Sequence, residues 1–148
     1  MAHIRRAVPD DAAEVVRLTS ELGYEASESV ISKRLSALTV QPTHFVAVAQ
    51  GRSGTLAGWI CAERRLILES GEKVEISGLV VDSTQRRNGI GCLLVEAAEQ
   101  WTAECGLTSL VVRSNVDRPE SHAFYLRAGY VRSKTQHVYL KTIPSNTR

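Results

Sequence analysis

Residues 75–101 constrain the fold of this chain more than any other stretch. They read EISGLVVDSTQRRNGIGCLLVEAAEQW. Residues 76–81 form an apolar run rich in β-branched side chains, which predicts a buried strand. A polar turn follows at 82–88. Gly89, Ile90 and Gly91 then open an amphipathic helix, with apolar residues at Ile90, Leu93, Leu94, Ala97, Ala98 and Trp101, the spacing of one buried face. A strand that runs through a glycine-punctuated turn into a helix start leaves several backbone N–H groups without partners. The macrodipole adds about half a positive charge there. Such a start suits a phosphate. Glycines at 89 and 91 remove the Cβ atoms that would hold a phosphate off the backbone, and Arg86 and Arg87 add charge. Two familiar phosphate loops do not match. A dinucleotide fingerprint needs a glycine three residues after Gly91, where Leu94 stands, and a Walker loop needs Gly-Lys-Ser/Thr, which is missing. Taken alone, the glycine pair also fits an ordinary strand–turn–helix in which it only eases the turn.

With 148 residues the chain suits a single domain spanning 1–148, with 143–148 as a frayed tail. Its net charge of +2 implies no dominant basic surface, which argues against nucleic acid as the main partner. No apolar run approaches the ~18 residues of a membrane span, and the first residues, MAHIRRAVPDD, lack the apolar region of a secretory signal. Cys61, Cys92 and Cys105 are odd in number and not at metal-ligand spacing, so no metal is expected and a reduced, cytoplasmic setting is the simplest reading. Cys92 falls in a first helical turn, where thiol pKa values drop. A small residue suited to a tight helix start is its plainer role.

The remaining elements follow in order. Residues 3–7 predict a strand. Pro9-Asp10-Asp11 starts a helix with Asp10 as cap, ended by Gly23. Ser27 caps a second helix, and Gln41-Pro42 breaks it. Residues 45–49 and 56–68 form an antiparallel hairpin around the 51–54 turn. Gly106 ends the long helix, 110–112 is a short strand, and a helix from Pro119 to Ala128 stops at Gly129. Residues 130–135 and 137–142 predict two final strands. The class is α/β, with α+β character: a central mixed, mostly antiparallel sheet with helices on both faces.

Two motifs together carry a family resemblance. One is the Gln/Arg-x-x-Gly-x-Gly/Ala loop, present as Arg86-Arg87-Asn88-Gly89-Ile90-Gly91. The other is Phe-Tyr-x-x-x-Gly-Phe/Tyr, present as Phe124-Tyr125-Leu126-Arg127-Ala128-Gly129-Tyr130. With these, the chain resembles the GCN5-related N-acetyltransferase (GNAT) superfamily, which moves an acetyl group from acetyl-coenzyme A to an amine. The order of elements matches over essentially the whole chain. The resemblance implies the acyl-coenzyme A N-acyltransferase fold. It also implies that backbone groups of Leu79, Val80 and Val81 meet the pantetheine arm, with the Leu79 N–H near the thioester carbonyl. Arg86, Arg87, Asn88, Gly89, Ile90, Gly91 and Cys92 would form the pyrophosphate loop. Tyr125 would lie near the sulfur as general acid. Glu75, fourteen residues before Gly89, matches the general base of the histone-acetylating members. In one respect the chain departs from the pattern: Arg118 and Ser121 stand where the family often has Asn and Ala, and Asn115 is the nearest substitute for that coenzyme contact.

Those groups suit the chemistry. An alkyl ammonium has a pKa of about 10.4, so roughly one molecule in a thousand is neutral at pH 7 and a carboxylate base is useful. A fixed N–H stabilises charge developing on the thioester oxygen, worth about 3 kcal/mol elsewhere. A phenol is protonated at neutral pH and able to donate to the departing sulfur. Each role has a plainer rival. Tyr125 also reads as a core tyrosine, Glu75 as a solvated strand residue, and His122 and His137 as alternative bases or structural residues. The resemblance implies that the acceptor is a primary amine of a small molecule or peptide. By resemblance, residues 22–29 and 133–139 shape its site, where Tyr24, Glu25 and Glu28 suit a cation. A homodimer is an expectation by analogy alone. A non-catalytic acyl-coenzyme A sensor of the same fold is the alternative function.

Overall fold

The computed structural model describes residues 2–85, 88–114 and 118–145. The chain divides into two compact units, Met1–Arg113 and Ser114–Arg148. In the first unit, β1 (His3–Arg6) leads through a 3-10 turn at Pro9–Asp11 into α1 (Ala12–Ser20). Then come α2 (Glu28–Thr39), β2 (His44–Gln50), β3 (Leu56–Ile67), β4 (Gly71–Val81), α3 (Ile90–Glu104) and β5 (Leu110–Val112). The second unit holds α4 (Pro119–Arg127).

Local chemistry explains most of these boundaries. The Ser27 hydroxyl accepts from the Val30 N–H and caps α2 as expected. The N-cap position of α1 is Asp11, not Asp10, and no side chain caps that helix. The Asp11 carboxylate instead reaches back over the 3-10 turn and accepts the Val8 N–H at 2.8 Å. Arg5 holds Asp11 in a two-pronged ion pair at 2.7 and 2.9 Å. Burial disfavours the charged Asp11, but Arg5 and the Val8 amide outweigh it and leave the carboxyl below its usual range.

The sheet runs β1-β2-β3-β4-β5 in space, antiparallel through β4, with β4 and β5 parallel. It is the mixed, mostly antiparallel sheet that the sequence predicts. The helices α1 and α2 bury one face, where Val15, Leu18 and Leu35 meet Val46, Val48 and Val80. The helix α3 buries the other, through Ile90, Leu94, Val95, Ala98 and Trp101. That face is turned from the expected one: Leu93 is exposed, and Val95 and Thr102 are buried in its place. Trp101 stacks on Phe45 with ring centroids 5.4 Å apart.

In the second unit Gly129 ends α4 with φ +95°. The two strands expected after it are not formed, and residues 130–145 carry no strand. Val131, Val138, Tyr139 and Leu140 stay exposed there. A strand gains by laying alternate apolar residues on a buried face, and this stretch buries none of these four to offset the entropy of ordering it.

One glycine sets how closely α3 lies on the sheet. A Cβ on Gly58 would stand 2.6 Å from the Val80 carbonyl oxygen, 3.1 Å from Leu94 and 3.4 Å from Ile90. Backbone on one side and the start of α3 on the other leave no room. Gly58→Ala is therefore expected to destabilise the fold by about 1–3 kcal/mol through overpacking. Urea denaturation checks this, and an unchanged midpoint would mean that α3 has room to shift.

Candidate active site

The strand β4 has two different edges. Toward β3 its ladder runs the whole way, from Gly71 opposite Ile67 to Val81 opposite Gly58. Toward β5 it stops early: Val74, Glu75 and Ile76 face Leu110, Val111 and Val112, and no later residue of β4 is paired there. Beyond Ile76, this edge of β4 is open among the described residues.

A bulge decides which groups point into the opening. Cys61 faces Gly78 and Ala62 faces Ile76, so Ser77 is an extra residue on β4. A Cβ on Gly78 would lie 2.7 Å from the Trp59 ring, which makes glycine the fitting residue at the bulge. Two hydrogen bonds fix the alternation on either side. The Val74 N–H points toward β5, reaching Ser109 O at 3.0 Å, and the Asp82 N–H points toward β3, reaching Ala57 O at 2.8 Å. Counting back from Asp82, Val80 faces β3, whereas Val81 and Leu79 turn their N–H and C=O groups to the open edge. Of the three residues expected to meet the pantetheine, Leu79 and Val81 thus have outward groups, and Val80 is used by the β3 ladder.

The start of α3 lies just past this edge. Gly89 is its N-cap, in the left-handed region at φ +77°, and no side chain caps the helix. The nearest candidate, Asn88, donates to Gln85 Oε1 at 3.3 Å instead. The amides of Ile90, Gly91 and Cys92 fall in the first turn and have no partner within the helix. Cys92 is exposed and, like Cys61 and Cys105, a free thiol. Arg86, Arg87 and Asn115, expected to meet the coenzyme, lie outside the described residues.

A polar clasp ties the intervening loop to α1. Arg17 donates to Asp82 at 3.0 Å, to the Leu56 carbonyl at 2.8 Å and to both oxygens of Glu14. Glu14 in turn accepts the Leu56 N–H. Asp82 also accepts from the backbone and the hydroxyl of Thr84. The Thr84 amide and hydroxyl, then Arg17, hold the Asp82 carboxyl below its usual range, and Arg17 does the same for Glu14. None of these residues stands out in the sequence, because the clasp joins positions more than sixty apart.

The two expected catalytic residues are placed as follows. Glu75 points from β4 with only 13% of its side chain exposed, and its Oε1 accepts from Arg65 at 2.9 Å and Arg113 at 3.2 Å. No hydrogen bond reaches its Oε2 among the described residues. Tyr125, in the second unit, lies edge-on to Phe124 and to Tyr130, with centroids 5.1 and 5.7 Å apart. Burial pushes its phenol up to about 12. Tyr24, Glu25 and Glu28 are exposed around the start of α2. No group of three or more His, Cys, Asp or Glu side chains able to hold a metal occurs among the described residues, and no helix there is long and apolar enough to cross a membrane.

The family model of the acetyltransferase (GNAT) family matches residues 13–130. The chain belongs to that family. It is 27% identical over 126 residues to the uncharacterized N-acetyltransferase YhdJ of Bacillus subtilis (strain 168), covering 84% of this chain and 88% of that one. It is 28% identical over 139 residues to the aminoalkylphosphonate N-acetyltransferase of Salmonella typhimurium (strain LT2), covering 90% and 87%. Among solved structures it is similar in fold to AAC(6')-Iy in complex with a bisubstrate analog of coenzyme A, with a TM-score of 0.84 at 16% identity over 97% of this chain and 99% of that one. This acetyltransferase is an acetyl-coenzyme A-dependent enzyme.

The clasp makes a pH-dependent prediction. Depressed carboxyls stabilise the fold above their unfolded pKa, near about 4. That contribution is lost as pH falls through the still lower folded values. Arg17→Met should therefore cost about 1–3 kcal/mol at pH 7. The gap from the parent should narrow in urea denaturation at pH 3. A gap that does not change with pH would mean that Arg17 acts by packing alone.

Proposed function

We propose that this acetyltransferase moves the acetyl group of acetyl-coenzyme A to a primary amine of a small molecule or peptide, by direct attack within a ternary complex. The observation that carries this reading is the open edge of β4 leading to an uncapped helix start. An acyl-coenzyme A has a long amide-bearing arm that ends in a pyrophosphate. The outward groups of Leu79 and Val81 offer strand-like partners to such an arm. The first-turn amides of α3, with glycine at 89 and 91, offer an anion cradle. The residues present therefore fit the coenzyme, which supplies the electrophilic thioester carbonyl.

The other roles are those that membership of the family leads us to assign. The Leu79 N–H is a fixed donor for negative charge developing on the thioester oxygen. Glu75 takes the ammonium proton, directly or through water, at its Oε2, since both arginines donate to Oε1. With a phenol near about 12, Tyr125 stays protonated across the working range. Complete proton transfer from it to a thiolate, whose conjugate acid titrates near about 8.5, is uphill. Its larger contribution is therefore a hydrogen bond to the sulfur as it leaves.

One named relative suggests the scale of acceptor: it has an aminoalkylphosphonate in its name, which fits a small-molecule acceptor here.

Release of free thiol from acetyl-coenzyme A, measured across a panel of amines, tests the proposal. Tyr125→Phe and Glu75→Gln should each lower kcat by about 10²-fold or more, with the KM for acetyl-coenzyme A changed much less. If the coenzyme binds but no amine in the panel is acetylated, the chain is an acyl-coenzyme A sensor instead.

A further inference from the structure

The face of the sheet under α1 and α2 changes character partway along. Its apolar cluster includes Trp59 and Cys61 of β3 and Val80 of β4. Side chains alternate along a strand, so Glu63 and Arg65 continue on the face of Cys61. Their cross-strand partners are Glu75 and Lys73. Directly opposed residues of an antiparallel pair share a face. The two rungs beyond the apolar cluster are therefore Glu63 with Glu75, then Arg65 with Lys73.

This pattern is the reverse of what sheet stability favours. Like charges directly opposite one another are destabilising, and opposite charges would be stabilising. Here two carboxylates form one rung and two cations the next. The existing ion pairs only partly relieve this. His44 reaches Glu63 at 3.2 Å, and Arg65 reaches diagonally to Glu75 through Nη1 at 2.9 Å. The Nε and Nη2 groups of Arg65 and the ammonium of Lys73 have no partner among the described residues. Arg113 adds a further cation at Glu75. Surface ion pairs contribute too little to stability to account for such segregation. It makes a face with a negative rung and a positive rung about 7 Å apart, the i to i+2 spacing of a strand.

The order of features along the face then suits one class of acceptor. The opening of β4 at Leu79 comes first, then the carboxylates, then the cations. An acetyl donor, an amine and an anionic tail on that amine would lie in the same order. We propose that the acceptor is a small amine bearing a carboxylate or phosphonate a few bonds away. Its ammonium is taken by the Glu63–Glu75 rung and its anion is gripped by Arg65 and Lys73. The inference rests on the acetyltransferase reading above and narrows its substrate class.

The test measures kcat/KM for the purified protein with 2-aminoethylphosphonate, β-alanine, the uncharged-tail amine propylamine and the polycation spermidine. At least one of the two anionic amines should exceed propylamine and spermidine tenfold or more, and comparison of the two shows which anion is preferred. In Arg65→Gln, and separately in Lys73→Gln, the ratio of anionic to propylamine kcat/KM should fall at least about tenfold, chiefly through KM. Lys73→Arg should keep most of it. Two variants guard against one failing to fold, with circular dichroism as the check. If propylamine or spermidine is preferred, or the variants lose all acceptors equally, the inference is overturned and amine acetylation stands. If no amine is acetylated at all, both readings fall together.

Discussion

The early separation of β4 from β5 is the constraint on which the rest of this molecule depends. A strand in a sheet normally uses its N–H and C=O groups on both sides. Here β4 keeps its whole ladder to β3 and gives up its ladder to β5 after Ile76. Orphaned backbone groups are costly when buried, so an open edge persists only where solvent or a ligand meets it. The bulge at Ser77 sets the phase of that edge. Without the extra residue, Leu79 and Val81 would turn their amides to β3, and Val80 would face outward instead.

Several distant residues keep this opening in line with the helix that follows. Gly78 lets the Trp59 ring lie against the bulge, and Gly58 lets Ile90 and Leu94 settle on the sheet. The clasp of Arg17, Glu14 and Asp82 holds the loop between strand and helix to α1. The strand edge and the helix start are thus set by contacts on both faces of the sheet. The opening is made largely of backbone, and its geometry is held by side chains that lie away from it.

Much of this was legible in the amino-acid sequence. The strand, turn and helix of residues 75–101 follow from β-branched runs, glycine placement and helical periodicity, all local signals. The hairpin of β2 and β3 and the Ser27 cap are local as well. Other features are not. The helical face drifts by a residue because burial depends on where Gly58 lets α3 sit, so Leu93 turns outward and Val95 inward. The clasp joins residues far apart in the chain, and no local pattern marks it. The bulge did leave a trace, a Ser-Gly pair inside a strand pattern, but only the register reveals its phase. The like-charged rungs of Glu63, Glu75, Arg65 and Lys73 likewise appear only once β3 and β4 are aligned. The final strands were expected from apolar residues that end up exposed.

The central claim is that the outward amides of Leu79 and Val81, with those of Ile90, Gly91 and Cys92, bind the acyl carrier together. Residue-resolved amide hydrogen exchange, with and without saturating coenzyme A, tests it most directly. Strong added protection is expected at those five amides, with little change at Val80, whose N–H the β3 ladder already uses. Binding of coenzyme A that leaves the exchange of Leu79 and Val81 unaltered would contradict it.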